Sequence, residues 1–170
     1  MRNRIKLTFT NYLLVCFMMI FFTSISFAQE NNIYKLPDNS DQNSLRSSRI
    51  TNYPQDLLYD LEPSVYIKNN NVENVVGVAS PKVLKLKDVN SIPFLSNRNA
   101  LYNKVEMITI NVTSLSDLSR PFIVDDIRGF ANLKYIYIKS EFLITENQIR
   151  NFIQNADPEI SIFYKIFNRS

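Results

Sequence analysis

Ile136-Tyr137-Ile138 is the clearest copy of the pattern that decides the fold, in which two branched apolar residues flank one residue of any type. The other copies are Leu84-Lys85-Leu86, Ile108-Thr109-Ile110 and Ile160-Ser161-Ile162. Such alternation is typical of a β-strand with one buried face. Counted from their first residues, the copies lie 24, 28 and 24 residues apart, which leaves room for a strand and a return segment in each unit. Return segments of this length favour parallel strands over hairpins.

The return segments differ in their helical character. Thr145 begins a capping box that is followed by an apolar stripe, so a helix is predicted between the third and fourth strands. Between the second and third strands, Pro121 and Gly129 limit the predicted helix to Val124 to Ala131. Between the first and second strands, Pro93 and residues 97–103 predict irregular backbone.

The chain before these units contains shorter elements. Gln55 to Leu61 is predicted to form one or two helical turns. Val65 to Lys68 and Val72 to Ala79 are predicted to be extended, with the turn residues Asn69-Asn70-Asn71 between them. These two extended segments form either a hairpin or a first, irregular unit of the repeat.

Residues 1–28 have the organisation of a secretory signal peptide. Arg2, Arg4 and Lys6 precede an apolar run over residues 12–22, and Ser26-Phe27-Ala28 supplies small residues for cleavage before residue 29. The rival interpretation is a retained membrane anchor, but the run is shorter than the roughly 17 to 25 residues of a spanning helix. A lipoprotein signal at Cys16 is disfavoured because the apolar run continues past the cysteine. The sequence therefore predicts export to the periplasm or the extracellular space.

Removal of this segment changes the charge balance. Residues 1–28 hold three of the 19 Lys and Arg and none of the 16 Asp and Glu, so 16 of each sign remain. A chain without net charge gives no reason to expect nucleic acid or an anionic membrane as a partner. Contact with a membrane is expected only through residues 1–28, if they are retained.

Composition also excludes several kinds of site. The chain has no His and one Cys, which rules out a Ser-His-Asp triad, a Cys-His dyad and the usual His/Cys metal sites. Two glycines, Gly77 and Gly129, are too few for a phosphate-binding glycine loop. No cofactor is therefore expected.

The predicted organisation has three parts. Residues 1–28 are the signal peptide, 29–53 a flexible polar leader, and 54–170 a single globular domain. The repeat-like units of this domain span about 80–104, 105–132, 133–156 and 157–170. The predicted fold class is α/β, built from short parallel strands that alternate with helices or loops.

These units resemble leucine-rich repeats. Val105, Ile108, Ile110 and Thr113 fit the L-x-x-L-x-L-x-x-N/T spacing, and residues 130–138 look like the start of such a strand. Glu141 and Asp157 depart from that pattern at the asparagine and leading-leucine positions. The resemblance implies a degenerate leucine-rich-repeat-like arc, and the alternative is a small two-layer α/β domain. The sequence is also similar in style to exported proteins of Bacteroidetes.

A repeat arc of this kind would present alternate strand residues on an open sheet face. That face is mixed aromatic and basic, a composition suited to an interface. The predicted interaction face consists of Lys85, Lys87, Thr109, Asn111, Tyr135, Tyr137 and Lys139. The alternative is that helices cover the face, in which case Phe163 and Phe167 belong to a core. We expect Phe163 and Phe167 in the core and Tyr137 and Lys139 at the interface.

Carboxylates offer the only route to catalysis. Asp125 and Asp126 are adjacent, so in a helix their side chains diverge by about 100° and do not form an acid/base pair. We therefore expect a non-enzymatic protein-interaction or structural module whose partner is another envelope or extracellular protein. The alternative is a small carboxylate-dependent hydrolase, because two distant carboxylates leave no spacing signature.

Overall fold

The computed structural model of the protein describes residues 31–37 and 54–167. The predicted signal peptide lies outside the described residues, as does most of the predicted leader. Within them the fold is mixed α/β with a mostly parallel seven-stranded sheet. Its strands are β1 (Ile33–Lys35), β2 (Ser64–Lys68), β3 (Asn71–Val76), β4 (Val83–Leu86), β5 (Met107–Val112), β7 (Tyr135–Ser140) and β9 (Ser161–Ile166). Two short helices are α1 (Gln55–Tyr59) and α2 (Glu146–Phe152), and β6 (Phe122–Ile123) pairs with β8 (Ile153–Gln154) separately.

The strand order across the sheet is β1-β9-β7-β5-β4-β2-β3. Every neighbouring pair is parallel except β2 and β3, which form an antiparallel hairpin. Five strands, β2, β4, β5, β7 and β9, follow one another across the sheet in chain order. The prediction of parallel strands joined by return segments is confirmed.

The register agrees with the predicted repeat except in the last unit. Leu84, Ile108 and Ile136 lie side by side, as their spacing predicts, but the next residue in that row is Ile162 rather than Ile160. Ile160 precedes β9 in a turn, where its backbone N–H donates to the carbonyl of Asp157. Because strand side chains alternate with period two, a shift of two residues keeps the same face buried and leaves no trace in the pattern.

The prediction of a flexible leader is wrong for its first part. Ile33–Lys35 forms β1, which pairs in parallel with β9, and Leu36 extends this pairing through a 2.8 Å hydrogen bond from its N–H to the carbonyl of Tyr164. Leu36 is 1% exposed. Three residues are too short a run for a periodic signal, so the strand was hidden in a polar stretch.

The helices form only partly where they are predicted. Thr145 and Gln148 make the predicted capping box of α2, and α1 lies within the predicted helical turns. The helix predicted over Val124 to Ala131 is a single 3-10 turn, Val124–Asp126, because the backbone of Ile127 returns to an extended conformation. Conversely, Val89–Ser96 is 3-10 helix where irregular backbone was predicted.

The sheet is covered unequally on its two faces. One face carries the branched residues of the repeat and packs against the return segments, including Leu95, Phe122, Ile149 and Phe152, in the main core. The other face carries a smaller core of Leu36, Val83, Met107, Tyr137 and Phe163, against which Leu57 and Leu58 of α1 pack. We call this second face the α1 face.

Candidate functional site

The α1 face is closed over part of its length and open at the carboxyl ends of the strands. Leu57 and Leu58 lie over the residues nearer the strand starts, such as Val83 and Met107. Beyond them, Lys87 is exposed and Lys85 and Lys139 are half-buried. The open part of the α1 face therefore lies at the carboxyl ends of the strands.

The predicted interaction face is therefore divided. Its residues Lys85, Lys87, Asn111, Tyr135 and Lys139 keep some or full exposure. Thr109 is 5% exposed and Tyr137 is 3% exposed, so their assignment to an accessible interface is wrong. Tyr137 is covered because it packs in the smaller core with Leu36 and with Leu57 and Leu58 of α1.

Phe163 and Phe167 differ in burial. Phe163 is fully buried in the smaller core, as expected, and its ring stacks on Tyr34 with centroids 5.4 Å apart. Phe167, which was expected in the core, is 41% exposed just after the end of β9. Its N–H donates to the carbonyl of Ser140 over 2.7 Å, which holds the residue at the open end of the sheet.

A row of polar and basic residues crosses the open part. Asn111, Lys139 and Lys165 are direct neighbours on β5, β7 and β9. Lys87 follows β4, whose last residue Leu86 pairs with Ile110, so Lys87 continues the row beside Asn111. Lys165 is only 5% exposed, so the accessible part of the row runs from Lys87 to Lys139. Since adjacent strands lie about 4.8 Å apart, this part is about 10 Å long.

Aromatic rings lie among these ammonium groups. The Nζ atoms of Lys85 and Lys87 are each 5.1 Å from the centre of the Tyr66 ring, and Lys85 also donates to the Tyr66 hydroxyl over 3.2 Å. Lys139 Nζ is 5.7 Å from the rings of both Tyr137 and Phe167, and Lys165 Nζ is 5.3 Å from that of Phe167. We call the following set the lysine–aromatic cluster: Lys85, Lys87, Lys139, Lys165, Tyr66, Tyr137 and Phe167.

The positive charge of this cluster is only partly compensated. Among the described residues, Lys85, Lys87 and Lys139 form no salt bridge. At the amino ends of the strands, by contrast, Lys82 contacts Glu62 at 3.0 Å and Lys134 contacts Glu106 at 2.8 Å. Lys82 and Lys134 are therefore paired with acids at the amino ends of the strands, whereas Lys85, Lys87 and Lys139 at the carboxyl ends form no salt bridge among the described residues.

Lys139 is the centre of the cluster in electrostatic terms. Burial lowers the pKa of its ammonium group, and the nearby charges of Lys85, Lys87 and Lys165 lower this pKa further. Beneath it, burial raises the pKa of the Tyr137 hydroxyl, with a smaller contribution from Tyr59. Tyr137 therefore stays neutral at physiological pH and does not compensate Lys139.

Replacing Lys139 by methionine is expected to stabilise the fold at neutral pH. The charged form of a group with a lowered pKa is disfavoured by folding, so its removal should raise the free energy of unfolding by about 0.5–1 kcal/mol. The gain should shrink as the pH rises through the lowered pKa, because the wild-type lysine then becomes neutral. Thermal unfolding of Lys139→Met, with the exposed Lys104→Met as control, measures this, and an unchanged or lower melting temperature would contradict it.

A small cavity adjoins the cluster. It has a volume of about 210 Å³ and is lined by Asn111, Lys139, Ser140, Glu141 and Phe167. The amide of Asn111 can both donate and accept hydrogen bonds, whereas the lysines only donate. The lining thus offers donors from Lys139 and Asn111 and acceptors from Asn111 and Glu141 to a hydrogen-bonding group.

Sequence reasoning missed Tyr66 and the position of Phe167. Tyr66 pairs with Lys85 because β2 is parallel to β4, a relation that the short spacing between the two strands did not reveal. The extended prediction for Val65 to Lys68 contained the signal, but the hairpin alternative left its register with β4 open.

The described residues give less support to carboxylate catalysis or metal binding. Asp125 and Asp126 are exposed on a 3-10 turn of the opposite layer. Residues 31–37 and 54–167 contain no group of three or more His, Cys, Asp or Glu arranged to hold a metal ion. In the same ranges, no helix has the length and apolarity required to cross a membrane.

Comparison with known proteins gave no match to any protein-family model, curated protein or solved structure.

Proposed function

We propose that the protein is an exported, non-enzymatic interaction module that binds another envelope or extracellular protein through the open part of the α1 face. The observation that carries this proposal is the lysine–aromatic cluster, in which Lys85, Lys87 and Lys139 lack acidic partners among the described residues. Gathering like charges is unfavourable for folding, and proteins retain such features chiefly at functional sites.

The composition of the cluster suits a protein partner. Rings such as Phe167 bury a large area at a small entropic cost, and interface cores are enriched in aromatic residues. Ammonium groups held over rings, as Lys139 is over Phe167, remain available to a partner while their alkyl chains pack. The cluster thus combines an apolar contact area with a charge that selects the partner.

The proposal also covers the localisation of the protein and the architecture of its sheet. Residues 1–28 would act as the cleaved signal peptide, on the strength of their basic start, apolar run and small cleavage residues. The parallel strands would be degenerate leucine-rich-repeat-like units. The order of β2, β4, β5, β7 and β9, each beside the next in chain order, supports this.

Site-specific photo-crosslinking in intact cells tests the function. A photoreactive amino acid at Asn111, beside the cluster, should give a discrete cross-linked species with a partner protein. The same amino acid at Lys104, which is exposed just before β5 at the amino ends of the strands, should give no such species. Adding Lys87→Ala and Lys139→Ala should reduce the Asn111 product at least about tenfold, since both charges would contact the partner.

Two results would contradict the proposal. Equal cross-linking from positions 111 and 104 would show that the α1 face is not the binding surface. A product at position 111 that is indifferent to the two alanine substitutions, in a variant with an unchanged melting profile, would show that the cluster does not bind the partner.

A further inference from the structure

We propose that the lysine–aromatic cluster recognises an extended acidic segment of its partner, a short peptide whose Asp or Glu side chains lie along the row from Lys87 to Lys139. This inference rests on the proposed function and specifies the chemistry of the ligand.

Charge complementarity identifies the ligand as anionic. The ammonium groups of Lys85 and Lys87 lie over Tyr66, that of Lys139 lies over Phe167, and none of the three forms a salt bridge among the described residues. Besides burial, the charges of Lys85 and Lys87 also lower the pKa of Lys139, in keeping with mutual repulsion. A ligand carboxylate between them would remove this repulsion and form charge-assisted hydrogen bonds. Because the chain without residues 1–28 has 16 basic and 16 acidic residues, this attraction is local to the cluster rather than a property of the whole protein.

The shape of the cluster identifies the ligand as extended. The accessible row of Lys87, Asn111 and Lys139 runs across three strands for about 10 Å, the length of about three residues of extended peptide. Phe167 flanks one end of the row and Tyr66 the other, so apolar contacts border the charges. Such an elongated site suits a linear ligand better than a compact ion.

The side chains of the cluster favour a peptide over a phosphate polymer. None of the seven is arginine, whose planar fork is the preferred partner of phosphate oxygens in bidentate contacts. Lysine contributes a point charge that binds a carboxylate or a phosphate, so the distinction between the two ligands comes from Asn111. Asn111 adds an amide that can donate to and accept from a peptide group, a reciprocal pairing that a phosphate polymer, which lacks N–H groups, does not offer.

Peptide binding to the protein expressed from the full sequence tests the inference. The probe is a fluorescent, terminally blocked hexaglutamate, with hexaglutamine as the neutral comparison and a linear hexaphosphate as the phosphate comparison. We expect hexaglutamate to bind at least about tenfold more tightly than hexaglutamine or hexaphosphate, and its affinity to fall as salt rises.

A matched pair of triple variants locates the site. Lys85→Gln, Lys87→Gln and Lys139→Gln together should abolish hexaglutamate binding. Arg98→Gln, Lys104→Gln and Arg120→Gln together remove the same charge from exposed positions outside the cluster and should leave binding within about twofold. Each replaced residue is exposed or half-buried, so both variants are expected to fold. Thermal unfolding of both variants verifies this.

The outcomes separate this inference from the proposed function. Hexaphosphate binding as tight as hexaglutamate, or equal losses in the two triple variants, would overturn the acidic-peptide assignment. If that happens while cross-linking at Asn111 still depends on Lys87 and Lys139, the interaction function stands and only its chemistry is wrong. If cross-linking also fails, both are wrong.

Discussion

Phe163→Ala should lower the free energy of unfolding by about 3–5 kcal/mol, the usual cost of removing a fully buried ring. Phe163 lies at the centre of the smaller core, stacked on Tyr34 and 6.1 Å from the ring of Tyr135. Its loss would leave a cavity beneath α1 that Leu57 and Leu58 cannot fill without moving. Urea unfolding followed by circular dichroism measures the change.

A second substitution at the same position controls for the size of the side chain. Phe163→Leu keeps most of the apolar volume and should cost about 1 kcal/mol. If Phe163→Ala and wild type unfold at the same urea concentration, the α1 face is not packed as described. In that case Thr109 and Tyr137 would be accessible after all, and the whole face would return as the candidate interface.

Leu36→Ala should cost about 2–5 kcal/mol, although this residue lies in a stretch whose composition predicts a flexible leader. Leu36 is buried against Phe163 and the rest of the smaller core, and its N–H donates to β9. Its truncation would therefore weaken both the core and the attachment of β1. A melting temperature lower by about 10–20 °C is the expected result.

Leu61→Ala provides the matched control. Leu61 is 105% exposed, so the same chemical change should leave the melting temperature nearly unaltered. Equal effects at Leu36 and Leu61 would refute the integration of β1 into the domain. The contrast between the two leucines also tests whether residues 31–37 belong to the folded unit independently of any functional assay.

Sequence analysis was most successful for features that residues close together in the chain determine. Alternation in β4, β5 and β7 specifies strands with one buried face, and regular spacing places them side by side. The capping box at Thr145 fixes the start of α2 through contacts within four residues. These features depend on the chain's immediate neighbourhood, which is why they could be predicted.

The remaining features depend on contacts between distant parts of the chain. The pairing of β1 with β9 joins the two ends of the domain, and no periodicity within three residues announces it. The same distant contact, together with α1, buries Tyr137 and confines the candidate site to the carboxyl ends of the strands. The lysine row could be predicted from alternation, but its division into covered and open parts could not.

The pairing of β1 with β9 has a consequence for the order in which the molecule is completed. Whenever a chain is delivered from its amino end, by a ribosome or through a secretion channel, Ile33 emerges long before its partner Ile162. The first strand to appear must wait for the last, because its neighbour in the sheet does not yet exist. Contacts of such high sequence separation slow folding. The β1 edge of the sheet is therefore expected to form only after residues 161–166 have been synthesised, so β1 should be among the last strands to pair.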